Sequence, residues 1–210
     1  MSDYILQLQD ITKIFPGVKA LSEVTCSVQR GHVHALVGEN GAGKSTLIKV
    51  ICGVYPYGTY EGKVFFEGKE CKFKTIRDVE KAGIACIPQE RNLVPDMSIS
   101  ENIFLNNQPN RAGIINFDAM HERCLKLLQD VGLDVNPEEM VRNLGVGQQQ
   151  MVEIAKALAR DVKLLLLDEP TAALTEAEVD ILLELVDKLR QKGVTCIYIS
   201  HRLDEIMRLC

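Results

Sequence analysis

Apolar positions along the chain switch between a period of two and a period near 3.6, which predicts strands alternating with helices. Val24, Cys26 and Val28 alternate with Thr25, Ser27 and Gln29, the pattern of a half-exposed strand. His32 to Val37 is a short strand that runs straight into glycines, and Gly43 to Val54 follows as a helix ending near Gly53. After the turn-rich Tyr57-Gly58-Thr59-Tyr60-Glu61-Gly62, strand character returns at Val64-Phe65-Phe66. The middle is helical in period. Met120, Cys124, Leu127, Leu128 and Val131 share one face, with Gly132 placed to end the helix, and Met151, Ile154, Ala155 and Leu158 repeat the pattern after Gln148.

The last part returns to strand, helix, strand. Lys163 to Leu167 contains four consecutive leucines, as a strand buried on both faces would. Thr175-Glu176-Ala177-Glu178 is a capping box, opening a helix that turns Val179, Leu182, Leu183, Val186 and Leu189 inward until Gly193. Val194 to Ser200 is a further strand, apolar on alternate residues at its start. The expectation is an α/β fold over 1–210, with a core from 1–89 and 161–210 and a helical subdomain at about 90–160. No internal repeat or low-complexity stretch interrupts it.

Composition narrows the class. With 210 residues the chain makes one domain, or one domain with a subdomain, and 46% apolar and 25% charged residues are ordinary for a soluble globular protein. A net charge of −5 gives no reason to expect nucleic acid or an anionic membrane as partner. Seven cysteines, an odd number without a C-x-x-C pair, read as small core hydrophobes in a reducing cytosol. Met1-Ser2-Asp3 lacks the basic start of a signal peptide, and no apolar run approaches the ~20 residues that cross a bilayer. A membrane role therefore needs a partner.

The chemistry begins at Gly38-Glu39-Asn40-Gly41-Ala42-Gly43-Lys44-Ser45, which matches G-x-x-x-x-G-K-[ST] between a predicted strand and a predicted helix. Glycines let the backbone wrap closely, so that successive N–H groups point at phosphate oxygens, and the helix start adds positive field. Lys44 would reach the β- and γ-phosphates, Ser45 would place its hydroxyl on Mg²⁺, and Thr46 stands beside it. A chance match in a chain this long is on the order of one in a hundred. Asp168-Glu169 ends the leucine strand. Asp168 fits a holder of Mg²⁺ through its water shell, and Glu169 a base for an attacking water. The alternative is two acids that merely end a strand. Gln89 and His201 carry no signal as isolated residues.

In this order these elements resemble the ATP-binding cassette family, the ATPase subunits of ABC transporters. The set runs from Phe15 through Gly38–Ser45, Gln89, the signature-like Leu144-Gly145-Val146-Gly147-Gln148 and Asp168-Glu169 to His201, so it covers nearly the whole chain. The resemblance implies a P-loop NTPase core with a mainly parallel sheet, an N-terminal antiparallel β part and an inserted α-helical subdomain. It implies ATP and Mg²⁺ as cofactors. Phe15 would stack on adenine, the alternative being an ordinary core aromatic. Gln89 would touch Mg²⁺ or the water, and His201 would contact the γ-phosphate. Gly145, Val146, Gly147 and Gln148 would close over ATP held by a facing cassette, either a second cassette of the same chain or another copy.

Two positions depart from the family pattern. Gly145 stands where Ser is usual, and Thr175 where an aspartate usually follows Leu174. Val146 to Ala157 and Glu169 to Thr175 resemble importers of ribose, xylose and galactose, with the Gly145 variant most like the xylose members. The implied partners are transmembrane permease subunits and, indirectly, a sugar-binding protein, with the cassette peripheral on the cytoplasmic side of the membrane. Leu93, Val94, Met97, Ile99, Ile103 and Phe104 would line a groove for a permease helix, or else form subdomain core. Because such ATPases usually carry two cassettes, the chain is expected to be a truncated first cassette. The rival reading is a soluble cassette ATPase acting on nucleic acid or ribosomes. The short interval between Gln89 and Leu144 and the lack of basic linkers speak against it.

Overall fold

A computed structural model of the protein describes residues 3–39, 41–89, 92–111 and 114–210. They fall into two compact units: Met1–Cys86 with Val162–Glu169 and Val186–Cys210, and Ile87–Asp161 with Pro170–Leu185.

The first unit holds two sheets. Strands β1 (Tyr4–Phe15), β2 (Val18–Gln29), β4 (Glu61–Phe66) and β5 (Lys69–Cys71) form an antiparallel sheet in the order β2-β1-β4-β5. In β1, Ile5, Leu6, Leu8 and Ile11 are buried, and a register shift between Leu8 and Ile11 breaks simple alternation. The second sheet has the order β3-β10-β9-β6, from β3 (Val33–Leu36), β10 (Thr195–Ile199), β9 (Leu164–Asp168) and β6 (Ile84–Ile87). Strand β10 runs parallel to both β3 and β9. Leu164 to Leu167 are all fully buried, as a strand covered on both faces requires. Strand β10 differs from the alternation expected at its start: all five of its residues are buried, because it lies between β3 and β9.

Helix α1 (Lys44–Ile51) joins the sheets into one core. Its Leu47, Ile48, Val50 and Ile51 pack with Leu6, Leu8 and Ile11 of β1, Val64 of β4, and Leu164, Leu166 and Ile199 of the parallel sheet. At about 25 cal/mol per Å² of apolar surface, this shared burial is what seats the helix. Helix α2 (Ile76–Ala82) starts on a complete capping box between Thr75 and Asp78. Helix α7 (Leu203–Leu209) follows β10.

The second unit is mainly helical, with α3 (Ile99–Ile103), α4 (Phe117–Asp130) and α5 (Val146–Leu158). Helix α4 buries Met120, Cys124 and Leu128, the predicted face, and Gly132 follows at φ 71°. A two-stranded hairpin, β7 (Asn110–Arg111) and β8 (Ile114–Ile115), was not foreseen there. Ile99, Ile103 and Phe104 are buried core, so of the proposed groove-lining residues these three have no surface to offer, whereas Val94 is exposed. Helix α6 (Glu176–Gln191) belongs to the second unit up to Leu185 and to the first from Val186. Its Val179, Leu182, Leu183, Val186 and Leu189 are buried as the spacing predicts.

All seven cysteines are free, but not all are core residues: Cys26 and Cys210 are exposed. Burial pushes the Cys124 and Cys196 thiols up to about 12, which leaves them inert. No helix among the described residues is long and apolar enough to cross a membrane.

Candidate active site

In the first unit the carboxyl ends of three parallel strands carry the candidate chemistry. Strand β3 ends at Leu36, just before the loop that opens at Gly38. Strand β9 ends in Asp168 and is followed by Glu169, and β10 is followed by Ser200 and His201. Carboxyl ends of an open parallel sheet are where such folds place ligands.

The loop from Gly38 to Gly43 has a reason for two of its glycines. Gly41 and Gly43 have φ of 83° and 90°, a left-handed conformation that disfavours side chains. At Gly43 space forbids one as well, since a Cβ would lie 2.6 Å from the Ala20 carbonyl oxygen and 3.0 Å from Leu21 Cδ2. Gly43 is the N-cap of α1 and provides no side-chain cap, and no acid sits in the first turn. The positive end of α1 is thus uncapped by described residues, which suits an anion. Lys44 Nζ donates to the carbonyls of Gly38 at 2.6 Å and Glu39 at 2.9 Å, so the ammonium rests on the loop itself. Ala42 N–H donates to the Glu39 carbonyl at 3.2 Å. Ser45 is exposed and Thr46 half-buried beside it. Asn40 lies outside the described residues.

Asp168 is half-buried, and burial raises its carboxyl above the usual range, with the Glu169 charge adding and Lys44 and Lys49 opposing. Glu169 has φ 47°, a strained conformation for a residue with a side chain, and its N–H donates to the Ile199 carbonyl at 3.0 Å. Its Oε1 stands 3.5 Å from His201 Nδ1. Neither that strain nor that pairing is visible in residue spacing.

His201 is exposed, but its turn is not loose. Glu205, with no exposure, accepts from Tyr198 Oη at 2.8 Å and Ser200 Oγ at 3.0 Å, and its second oxygen is 3.1 Å from Arg202 Nε. Ser200 Oγ in turn accepts from Arg202 N–H at 3.0 Å. Sequence reasoning passed over Glu205 because an acid in the first turn of a short helix is ordinary.

Phe15 ends β1 half-buried, so it is not a core aromatic. Its ring meets Tyr55 edge-on at 5.5 Å between centroids, and Lys13 Nζ lies 5.2 Å from the Phe15 centroid and 4.9 Å from that of Tyr55. The Lys13–Tyr55 pair beside Phe15 was also missed, since nothing in the spacing joins them.

In the second unit Gln89 is exposed, two residues beyond β6. Gly145 is the N-cap of α5, and its N–H donates to Gln148 Oε1 at 3.0 Å. The helix begins at Val146, slightly earlier than the start near Gln148 that the sequence suggested. Val146 is exposed, Gly147 buried and Gln148 half-buried.

The residues of the first unit fit a magnesium nucleotide. The loop ends on a glycine that lies too close to β2 for a Cβ, and it offers an ammonium and an uncapped helix start for phosphate, with a half-buried carboxylate at the end of β9. No group of three or more His, Cys, Asp or Glu able to hold a metal occurs among the described residues.

A family model described as ABC transporter matches residues 21–172. The chain belongs to the ABC transporter family. It is 58% identical over 209 residues to the xylose import ATP-binding protein XylG of Moorella thermoacetica, covering 100% of this chain and 42% of that protein. It is 56% identical over 209 residues to the L-arabinose transport ATP-binding protein AraG of Geobacillus stearothermophilus, covering 100% of this chain and 41% of that protein. The chain thus spans about two fifths of the length of the curated relatives it matches. Among solved structures, a nucleotide-free ATP-binding cassette from an ABC transporter superposes with a TM-score of 0.87 at 30% identity, covering 98% of this chain and 85% of that one. The ABC transporter fold, with its P-loop core and N-terminal antiparallel sheet, is therefore the fold of this chain.

Proposed function

We propose that this cassette binds and hydrolyses Mg–ATP and, within a longer protein, powers uptake of a monosaccharide such as xylose. The observation that carries the reading is the seat of α1: a loop pinned at Gly43, an ammonium laid over it, and Asp168 within its electrostatic reach. Lys44 and the loop amides, including that of Asn40, would hold the β- and γ-phosphates. Ser45, Gln89 and Asp168 would hold magnesium, which when bound offsets the charge of the phosphate oxygens. Glu169 would orient the attacking water and take its proton, and His201 would keep Glu169 in place from 3.5 Å. Phe15 would stack on adenine. Catalysis of this kind is mostly positioning and charge stabilisation.

The names of the relatives, xylose import and L-arabinose transport, support a pentose or similar sugar as cargo. Their greater length leaves room for a second cassette, which the start of α5 would face. Permease subunits and a sugar-binding protein would complete the assembly, with this cassette peripheral on the cytoplasmic side.

The test is a pair of substitutions. Lys44→Ala is expected to abolish measurable ATP binding by calorimetry. Glu169→Gln is expected to keep the wild-type affinity and lower steady-state turnover by about 100-fold or more. An unaltered titration for the first, or unaltered turnover for the second, removes the corresponding role.

A further inference from the structure

Gly147 lies in the first turn of α5, and its backbone is not in the left-handed region, so conformation does not explain a glycine there. Close approach does. A Cβ on Gly147 would stand 2.0 Å from Glu178 Oε1, 2.3 Å from Cδ and 2.9 Å from Cγ. Glu178 is the far half of the capping box that opens α6. Its Oε2 accepts from the Thr175 N–H and from the Thr175 hydroxyl, each at 2.8 Å, and Thr175 Oγ1 accepts from the Glu178 N–H at 3.4 Å. One carboxylate therefore serves the positive ends of two helices, α5 and α6.

The two departures from the family pattern fit this contact. With Gly145 at the N-cap, α5 has no capping hydroxyl of its own, so the start of the helix relies on Gln148 and on Glu178. Thr175 supplies a neutral donor to Glu178, where an aspartate would repel it. The Thr175 N–H, the Thr175 hydroxyl and the Gly147 amide together hold the Glu178 carboxyl below its ordinary range, so it is ionised at neutral pH.

We propose that Glu178 is a positioning residue that fixes the glycine-rich start of α5 against the Thr175 turn, and so sets how the amides of Gly145 to Gln148 meet a nucleotide on a facing cassette. The proposal rests on the ATPase reading above. It assigns to one acid a part that the phosphate loop, Asp168 and Glu169 do not play.

The experiment compares Glu178→Ala, Glu178→Gln and Thr175→Asp with the wild type, reading ATP affinity by calorimetry, kcat and KM, and amide exchange across Gly145 to Gln149. Glu178→Ala is expected to leave ATP affinity within about twofold, since the phosphate loop is intact, while kcat falls about 10- to 100-fold. Exchange at those amides is expected to rise about 10-fold. Thr175→Asp should reproduce both effects, and Glu178→Gln, which keeps one acceptor oxygen, should recover most of kcat. A Glu178→Ala protein with wild-type kcat overturns the proposal whatever its exchange does. So does a loss of kcat that only follows a loss of ATP affinity. If the wild type itself binds no ATP, the ATPase reading falls, and unchanged exchange in Glu178→Ala would then dismiss Glu178 by itself.

Discussion

At Asp168 the proposed hold on magnesium runs against stability. Burial raises its carboxyl, so at neutral pH the folded protein holds an anion that its surroundings disfavour. A carboxyl raised on folding stabilises the protein fully below the unfolded value, and that contribution is lost as pH rises through the folded value. Asp168→Asn is therefore expected to raise the Tm of the nucleotide-free protein at pH 7.5 by roughly 2–4 °C, an ordinary gain on relieving a functional site. The gap to wild type should close as pH falls through the raised range in which wild-type Asp168 takes up its proton. Magnesium-dependent ATP binding should weaken in the same variant. A scanning calorimetry series across pH reads the first effect, and an asparagine variant no more stable than wild type at pH 7.5 would count against it. Lys44 and Lys49 partly offset the effect of burial on Asp168.

Among the elements, α1 is the one whose position the site needs most, and its seat depends on a backbone contact rather than on packing alone. Gly43 and Gly41 separate the two reasons for glycine. Both have positive φ, but a Cβ at Gly41 meets nothing within 4 Å, whereas at Gly43 it runs into the Ala20 carbonyl, which belongs to β2 and cannot step aside. Gly41→Ala is expected to cost about 1 kcal/mol from conformation alone. Gly43→Ala should cost about 2–4 kcal/mol and reduce ATP affinity at least 10-fold, because the start of α1 must move. Urea unfolding of the two variants side by side tests the difference, and equal costs would mean that the contact with Ala20 yields easily. The same comparison shows what the sequence made legible. The motif, the strand before it and the helix after it could be read from residue types, because periodicity and glycine spacing are local. So could the leucine run of β9 and the capping box of α6. The approach of Ala20 to Gly43, of Glu178 to Gly147, and of Glu205 to Tyr198 and Ser200 could not be read in this way. The first two join segments more than twenty residues apart in the chain, whereas Glu205 is near its partners in sequence and escaped because an acid in the first turn of a helix is ordinary. The β7–β8 hairpin escaped for a different reason: two-residue strands carry no period.

At the scale of the whole molecule, the phosphate loop can be tested without any knowledge of cargo or partner. A ligand that binds only the folded state raises its stability by RT ln(1 + [L]/Kd), about 2.7 kcal/mol at one hundred times Kd. For a chain of 210 residues each kcal/mol moves Tm by roughly 2–4 °C, so saturating Mg–ATP should raise it by about 5–10 °C. The rise should track the logarithm of nucleotide concentration, since it comes from mass action rather than from a change of fold. It should vanish in Lys44→Ala, which has no ammonium to lay over the loop, and shrink when EDTA removes magnesium, if Asp168 and Ser45 share the ion with the phosphates as proposed. It should survive in Glu169→Gln, which alters a residue expected to act after binding. A rise of equal size in wild type and Lys44→Ala would place the nucleotide somewhere other than the start of α1, and a rise indifferent to EDTA would separate phosphate binding from the carboxylate at the end of β9.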